Sequence, residues 1–143
     1  MKEESLDPAW IGEGAEDHIY RENILDHYKH PHNFGKLPSP TVTYREVNPM
    51  CGDAIELSLA VTKNKVDAAA FTGAGCAISI ATISMLTDQL KGKTLAEVQK
   101  MDKETVMKLL GIHLGPVRMK CGLLCLRAVL GAVTQLEKHH EKT

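Results

Sequence analysis

Three cysteines stand in segments whose neighbours suit chemistry better than packing: Asn48-Pro49-Met50-Cys51-Gly52-Asp53, Gly73-Ala74-Gly75-Cys76-Ala77-Ile78-Ser79 and Arg118-Met119-Lys120-Cys121. A cysteine seen alone is as readily a small buried hydrophobe as a ligand. Three of them, flanked by glycine, an acid or basic residues, point to metal or sulfur chemistry. Asp53 lies two residues beyond Cys51, and alternation along an extended segment puts both side chains on one side, so a carboxylate oxygen joins the candidate donors. Three thiolates with one carboxylate differ from the closed Cys/His set of a structural zinc site, because the carboxylate is the harder and more exchangeable ligand. Such a set suits a site that releases what it holds.

The remaining composition narrows the partners. A chain of 143 residues with a net charge of −1 has the length of one domain and no global field that would draw it to nucleic acid or an anionic membrane. The amino end from Met1 to Asp17 is acidic and lacks an apolar signal-peptide core, and no window reads as the roughly 18 apolar residues needed to cross a bilayer. A cytoplasmic location is expected. In that reducing compartment the four cysteines are ligands or reactive thiols, and the lack of any Cys-x-x-Cys argues against a thioredoxin-type dithiol.

The elements that must position the thiols follow from periodicity. Residues 1–15 read as a mobile tail with Trp10 as a local anchor or partner contact, and residues 16–143 as the domain. Ile19, Tyr20, Ile24, Leu25 and Tyr28 recur at helical spacing between Asp17 and His30, ahead of a Pro- and Gly-rich loop. Three strands are expected over 41–47, 54–62 and 65–72, with Asn64 in the turn between the last two. The small apolar run 77–90 reads as a buried helix. Thr94 with Glu97 matches a capping box, Asp102 with Glu104 and Thr105 opens a short helix closed by Gly111, and a last long helix is expected from Cys121 to His139. Strands first and helices afterwards is the α+β pattern, here with an antiparallel three-stranded meander.

This layout puts Cys51 in the turn before the second strand, and Cys76 and Cys121 at helix starts, where the helix dipole favours a thiolate. Arg118 and Lys120 add positive charge beside Cys121, so its thiol is expected to ionise most readily and to be the first sulfur acceptor. Cys125, one turn further on, shares its helical face and is a candidate spare ligand or resolving thiol, although a buried role is the plainer reading. His113 reads as a solvated loop residue more readily than as a ligand, His27, His30 and His32 as turn and surface residues, and Met85, Met101 and Met107 as core filler. Gly73-Ala74-Gly75 lacks the rest of a dinucleotide fingerprint.

From about Ile19 onward the chain closely resembles the U-type iron–sulfur cluster assembly proteins, the IscU/SufU/NifU N-terminal family. Residues 48–53 match the family's Asn-Pro-x-Cys-Gly-Asp without change, and residues 73–79 its Gly-x-Gly-Cys-x-Ile-Ser, the form seen mostly in SufU. The segment from His27 to Leu37 is similar to the family's His-Tyr-x-Asn-Pro-Arg-Asn-x-Gly-x-Leu, with His30 in place of Asn and His32 in place of Arg. Lys120 stands where IscU has a histidine, as in SufU. By contrast, the short interval from Cys76 to Cys121 resembles IscU, and Leu114-Gly115-Pro116-Val117-Arg118 is similar to the segment IscU offers to a dedicated Hsp70-type chaperone.

The resemblance implies that Cys51, Asp53, Cys76 and Cys121 converge at one end of the sheet. It also implies one of two activities. In the first, a scaffold assembles sulfur from a pyridoxal-phosphate cysteine desulfurase and iron into a transient cluster, 2Fe-2S by expectation, and passes it to apo-proteins. In the second, a sulfurtransferase holds zinc on the same four residues and frees Cys121 to accept a persulfide. The scaffold is the favoured reading.

Overall fold

Ile55, Leu57 and Leu59 alternate along one face of a strand and have no exposed surface, which makes their strand the centre of the fold. In the computed structural model, which describes residues 15–48, 52–112 and 114–141, this strand is β2 (Asp53–Thr62). It pairs antiparallel with β1 (Val42–Asn48) on one side and β3 (Lys65–Ala74) on the other, the expected meander. Lys63 and Asn64 close the β2–β3 hairpin with φ of 53° and 64°. A two-residue turn with both φ positive matches the twist of its strands. The outer edge of β3 is covered by loops: Phe71 N–H donates to the Asn33 carbonyl, Gly35 N–H to that of Phe71, and Val66 N–H to that of Lys93. Covering an edge removes a template for pairing with other chains.

The helices are α1 (Ala15–Lys29), α2 (Ala77–Leu90), α3 (Leu95–Gln99), α4 (Lys103–Leu110) and α5 (Pro116–Glu141). The α+β class is thereby found as expected. Helix α2 packs against α1, α4, α5 and β3, and every residue from Ile78 to Thr87 is buried. Its polar side chains therefore need partners inside the protein. Thr82 and Thr87 donate to the carbonyls of Ile78 and Ile83 one turn back, and Ser84 bonds to His27. The capping box expected at Thr94/Glu97 is present, the helix start expected at Asp102 carries a second one that closes through Thr105, and Gly111 ends α4 at φ 71°.

Two expectations change. Helix α5 begins at Pro116, five residues before Cys121, because proline suits the first helical position, where no amide hydrogen is needed. The stretch Arg118–Lys138 is also long and apolar enough, by length and composition, to cross a membrane, contrary to the expectation of no such window. Leu124, Ala128, Val129, Ala132, Val133 and Leu136 bury that apolar face in the protein's own core. The predicted tail, including Trp10, falls mostly outside the described residues.

His27 is a third correction, since it is buried rather than a surface residue. Its Nδ1 lies 2.7 Å from Ser84 Oγ, which also accepts the His32 backbone N–H. His32 is exposed as expected, pairs with Asp88 at 2.6 Å, and holds its ring 4.4 Å from that of His27. Burial first, then nearby His32, hold the His27 imidazole below its ordinary value of 6.5 against the opposing pull of Asp88 and Asp26. The unfolded chain therefore takes up this proton more readily, so the contribution is present above pH 6.5 and is lost as pH falls through the lower folded value. The melting temperature should drop between about pH 7.5 and about pH 5.5, and His27→Gln should flatten that part of the profile. Equal slopes in the two proteins would assign the effect to another group.

Candidate metal centre

The end of the sheet and the starts of two helices meet around Asp53. This residue opens β2 on the same face as Ile55 and Leu57, and only 5% of its surface is exposed. Two residues after β3, Cys76 is the N-cap of α2 with φ −76° and ψ 172°, and its side chain makes no capping bond. Its sulfur thus sits at the end of a helix whose first amide hydrogens and dipole face negative charge. Cys121 comes from the second turn of α5 and is buried. One donor atom from each of Asp53, Cys76 and Cys121 lies within 4.8 Å of the others. Cys51 and His113 lie outside the described residues.

Two glycines make this approach possible. Gly73 has φ 157°, and a Cβ there would stand 2.2 Å from the Ala54 carbonyl oxygen, so no side chain fits where β3 crosses β2. A Cβ on Gly75 would come within 3.0 Å of the Asp53 carboxyl carbon and 3.1 Å of Ser79 Cβ. Ser79 is the residue that sequence reasoning left unassigned: fully buried, it donates to Asp53 Oδ2 at 2.6 Å and lies 3.5 Å from Cys76 Sγ. A serine inside an otherwise apolar helical run was the available signal, because a buried hydroxyl needs a partner.

The electrostatics overturn the expected behaviour of Cys121. Its thiol is pushed up to about 12, first by burial, then by a hydrogen bond and charge from Cys76 and the charge of Asp53, with Ser79 pulling the other way. The early start of α5 explains why the anticipated lowering fails, since Cys121 is not at the helix end where the dipole acts. Lys120 is exposed, and adjacent helical residues do not face one another. Arg118 is partly exposed and engaged in an interaction of its own. Cys125 is turned into the core, where its S–H donates to the Ser79 carbonyl at 3.1 Å and burial raises its thiol strongly. It joins no donor group among the described residues, in keeping with the buried reading.

Three donors that would carry negative charge, packed at this range, repel one another unless protons or a cation offset the charge. Ligands of a tetrahedral ion at about 2.0–2.3 Å stand about 3.3–3.8 Å apart, so the observed separation needs only small side-chain adjustment to close on zinc or iron. The donor set fits such an ion.

The chain matches the family described as NifU-like N terminal domain over residues 19–143, which contain all the donors. It belongs to that family. An iron–sulfur cluster assembly scaffold protein, IscU, of Archaeoglobus fulgidus is 32% identical over 124 aligned residues, covering 87% of this chain and 80% of the relative. The zinc-dependent sulfurtransferase SufU of Bacillus subtilis is 34% identical over 138 aligned residues, covering 85% of this chain and 93% of the relative. Among solved structures, a SufU described as a putative iron–sulfur cluster assembly scaffold for the SUF system of Fervidobacterium islandicum superposes with a TM-score of 0.69 at 27% identity, covering 83% of this chain and 99% of that one. The NifU-like fold thus carries its donors where the sheet meets α2 and α5.

A cation entering this NifU-like site must displace the proton that burial and the neighbouring Cys76 and Asp53 favour on Cys121. Apparent zinc affinity, read by competition with a chelator, should climb by about tenfold per pH unit for each thiol deprotonated. A pH-independent affinity would show that the Cys121 sulfur stays out of the ion's coordination.

Proposed function

We infer that this chain is an iron–sulfur cluster assembly scaffold, and the observation that carries the inference is the convergence of Asp53, Cys76 and Cys121 within 4.8 Å. Cys51, two residues before Asp53 in an unbroken family motif, is the fourth donor of the proposal. The cargo is iron and sulfide, held as a 2Fe-2S cluster. Three segments each supply one soft thiolate ligand, while the Asp53 oxygen is the hard and weakest partner of a sulfur-rich centre, which favours release. The domain of residues 16–143 works in the reducing cytoplasm, where thiols stay free for this exchange.

Sulfur reaches the site from a pyridoxal-phosphate cysteine desulfurase. Cys121 as thiolate attacks the outer sulfur of the desulfurase persulfide, forming a new S–S bond on Cys121 while the old S–S bond breaks and the desulfurase thiolate leaves. The buried Cys121 thiol is a poor nucleophile when protonated, so the step requires a cation nearby to favour the thiolate. Exposed Lys120, with Arg118, contributes charge for docking an acidic surface of the desulfurase. Two electrons from an external thiol or electron-transfer protein then cleave the Cys121 S–S bond, returning the Cys121 thiolate and releasing sulfide to the iron, and apo iron–sulfur proteins take the cluster. Leu114 is buried and Pro116 opens α5, so an Hsp70-type chaperone that reads residues 114–118 as an extended peptide must first unwind that turn. Such unwinding would move Cys121 and loosen the donor set.

The similarity to a zinc-dependent sulfurtransferase, with Lys120 in place of the IscU histidine, supports a second reading in which zinc stays on the same donors and only the Cys121 persulfide moves on. Elemental analysis of protein purified without added metal, followed by visible absorption after anaerobic incubation with ferrous iron, cysteine, a desulfurase and a thiol reductant, separates the two. Sulfide-to-iron absorption bands support the scaffold. Zinc retention without those bands, together with persulfide mapped to Cys121, supports the carrier. In either case Ser in place of Cys51, Cys76 or Cys121 should lower bound metal sharply, Cys125→Ser should leave it intact, and Asp53→Ala should alter release more than initial occupancy. Parent-level metal in all of these variants would place the site elsewhere.

A further inference from the structure

Ser79 occupies the third position of α2 with no exposed surface, and its side chain lies between two of the donors. Its hydroxyl has one proton, and the 2.6 Å contact gives it to Asp53 Oδ2. Toward Cys76 Sγ, 3.5 Å away, the same oxygen is left to accept. Asp53 is itself 95% shielded from solvent, so water does not compete for this bond. Gly75 completes the arrangement, since any Cβ there would press on both the Asp53 carboxyl carbon and Ser79 Cβ.

We propose that Ser79 is a positioning residue for Asp53: by tying Oδ2 to the first turn of α2, it fixes the carboxylate and leaves Oδ1 as the oxygen offered to the ion. The inference rests on the metal-binding reading above and adds a residue to it. A carboxylate ligand oriented by a hydrogen bond loses little freedom when an ion arrives, and removal of such an outer partner typically weakens metal binding by about 10–100-fold. The hydroxyl matters here because Gly75, on the other side of the carboxyl, offers packing without a side-chain donor.

The test is a double-mutant cycle read by zinc affinity in chelator competition, using the parent, Ser79→Ala, Asp53→Ala and the double variant. Ser79→Ala should weaken zinc by about tenfold, while in the Asp53→Ala background it should change affinity by less than about twofold. Cobalt(II) provides a second readout: Ser79→Ala should keep the sulfur-to-cobalt charge-transfer bands, since the coordinating sulfurs remain, and alter the ligand-field bands, since the oxygen ligand loses its anchor. Gly75→Ala retains the hydroxyl but wedges a methyl group against the pair, so it should reproduce the ligand-field change even if the serine variant folds poorly. Parent affinity and parent cobalt spectrum in Ser79→Ala would overturn the proposal. The same loss in both backgrounds would also overturn it, by showing that Ser79 acts through packing. Parent affinity in Asp53→Ala would go further and remove the carboxylate from the metal set altogether.

Discussion

The burial of α2 constrains everything around it. A helix with no solvent-facing side from Ile78 to Thr87 can carry Ser79, Thr82, Ser84 and Thr87 only if each hydroxyl finds a partner, and each does. Two of those partners lie on other elements: Asp53 on β2 and His27 on α1. Rotating or sliding the helix would strand both bonds, at a cost of about 1–3 kcal/mol for each buried group left unsatisfied. The N-terminus of α2 is therefore held at the end of the sheet, and Cys76 with it.

Placing the donors in this way brings electrostatic conflict into the core. Apolar packing around Cys121 disfavours its thiolate, and the adjacent Cys76 and Asp53 disfavour it further. The metal-free protein resolves the conflict with protons and hydrogen bonds, and the loaded protein resolves it with the ion. Gly73 and Gly75 already let the backbone approach closely enough to bring the donors within 4.8 Å. A site of this kind needs no large rearrangement to load or empty, which suits cargo that must be handed on.

Much of this was legible in the sequence because it is local. Alternation at Ile55, Leu57 and Leu59 marked β2, Asn64 marked the hairpin turn, and Thr94/Glu97 and Gly111 marked helix ends, each through chemistry confined to a few residues. Asp53, Cys76 and Cys121 were legible as donors through their flanking residues and family motifs, and they do converge. The start of α5 was not, because Leu114-Gly115-Pro116 reads as a break while proline at the first helical position is a start. That single misplacement carried an error in chemistry, since a helix-end cysteine and a second-turn buried cysteine ionise differently. The burial of His27 was hidden for a related reason: its partner Ser84 is 57 residues away in sequence.

Cys121 and Cys125 pose the sharpest question of selection, being one turn apart on the same helix and alike in chemistry. Ser79 separates them. Its side chain faces the metal centre, bonding Asp53 and touching Cys76, while its backbone carbonyl accepts the S–H of Cys125 on the core side. With that carbonyl engaged and no exposed surface, Cys125 would have to break a hydrogen bond and turn out of the core to reach an ion. Cys121, a turn earlier, already points its sulfur at Cys76 and Asp53. The boundary between ligand and core residue is thus drawn by the register of α5 against α2, so a shift of one residue in either helix, about 100° of rotation, would turn both thiols from their present partners.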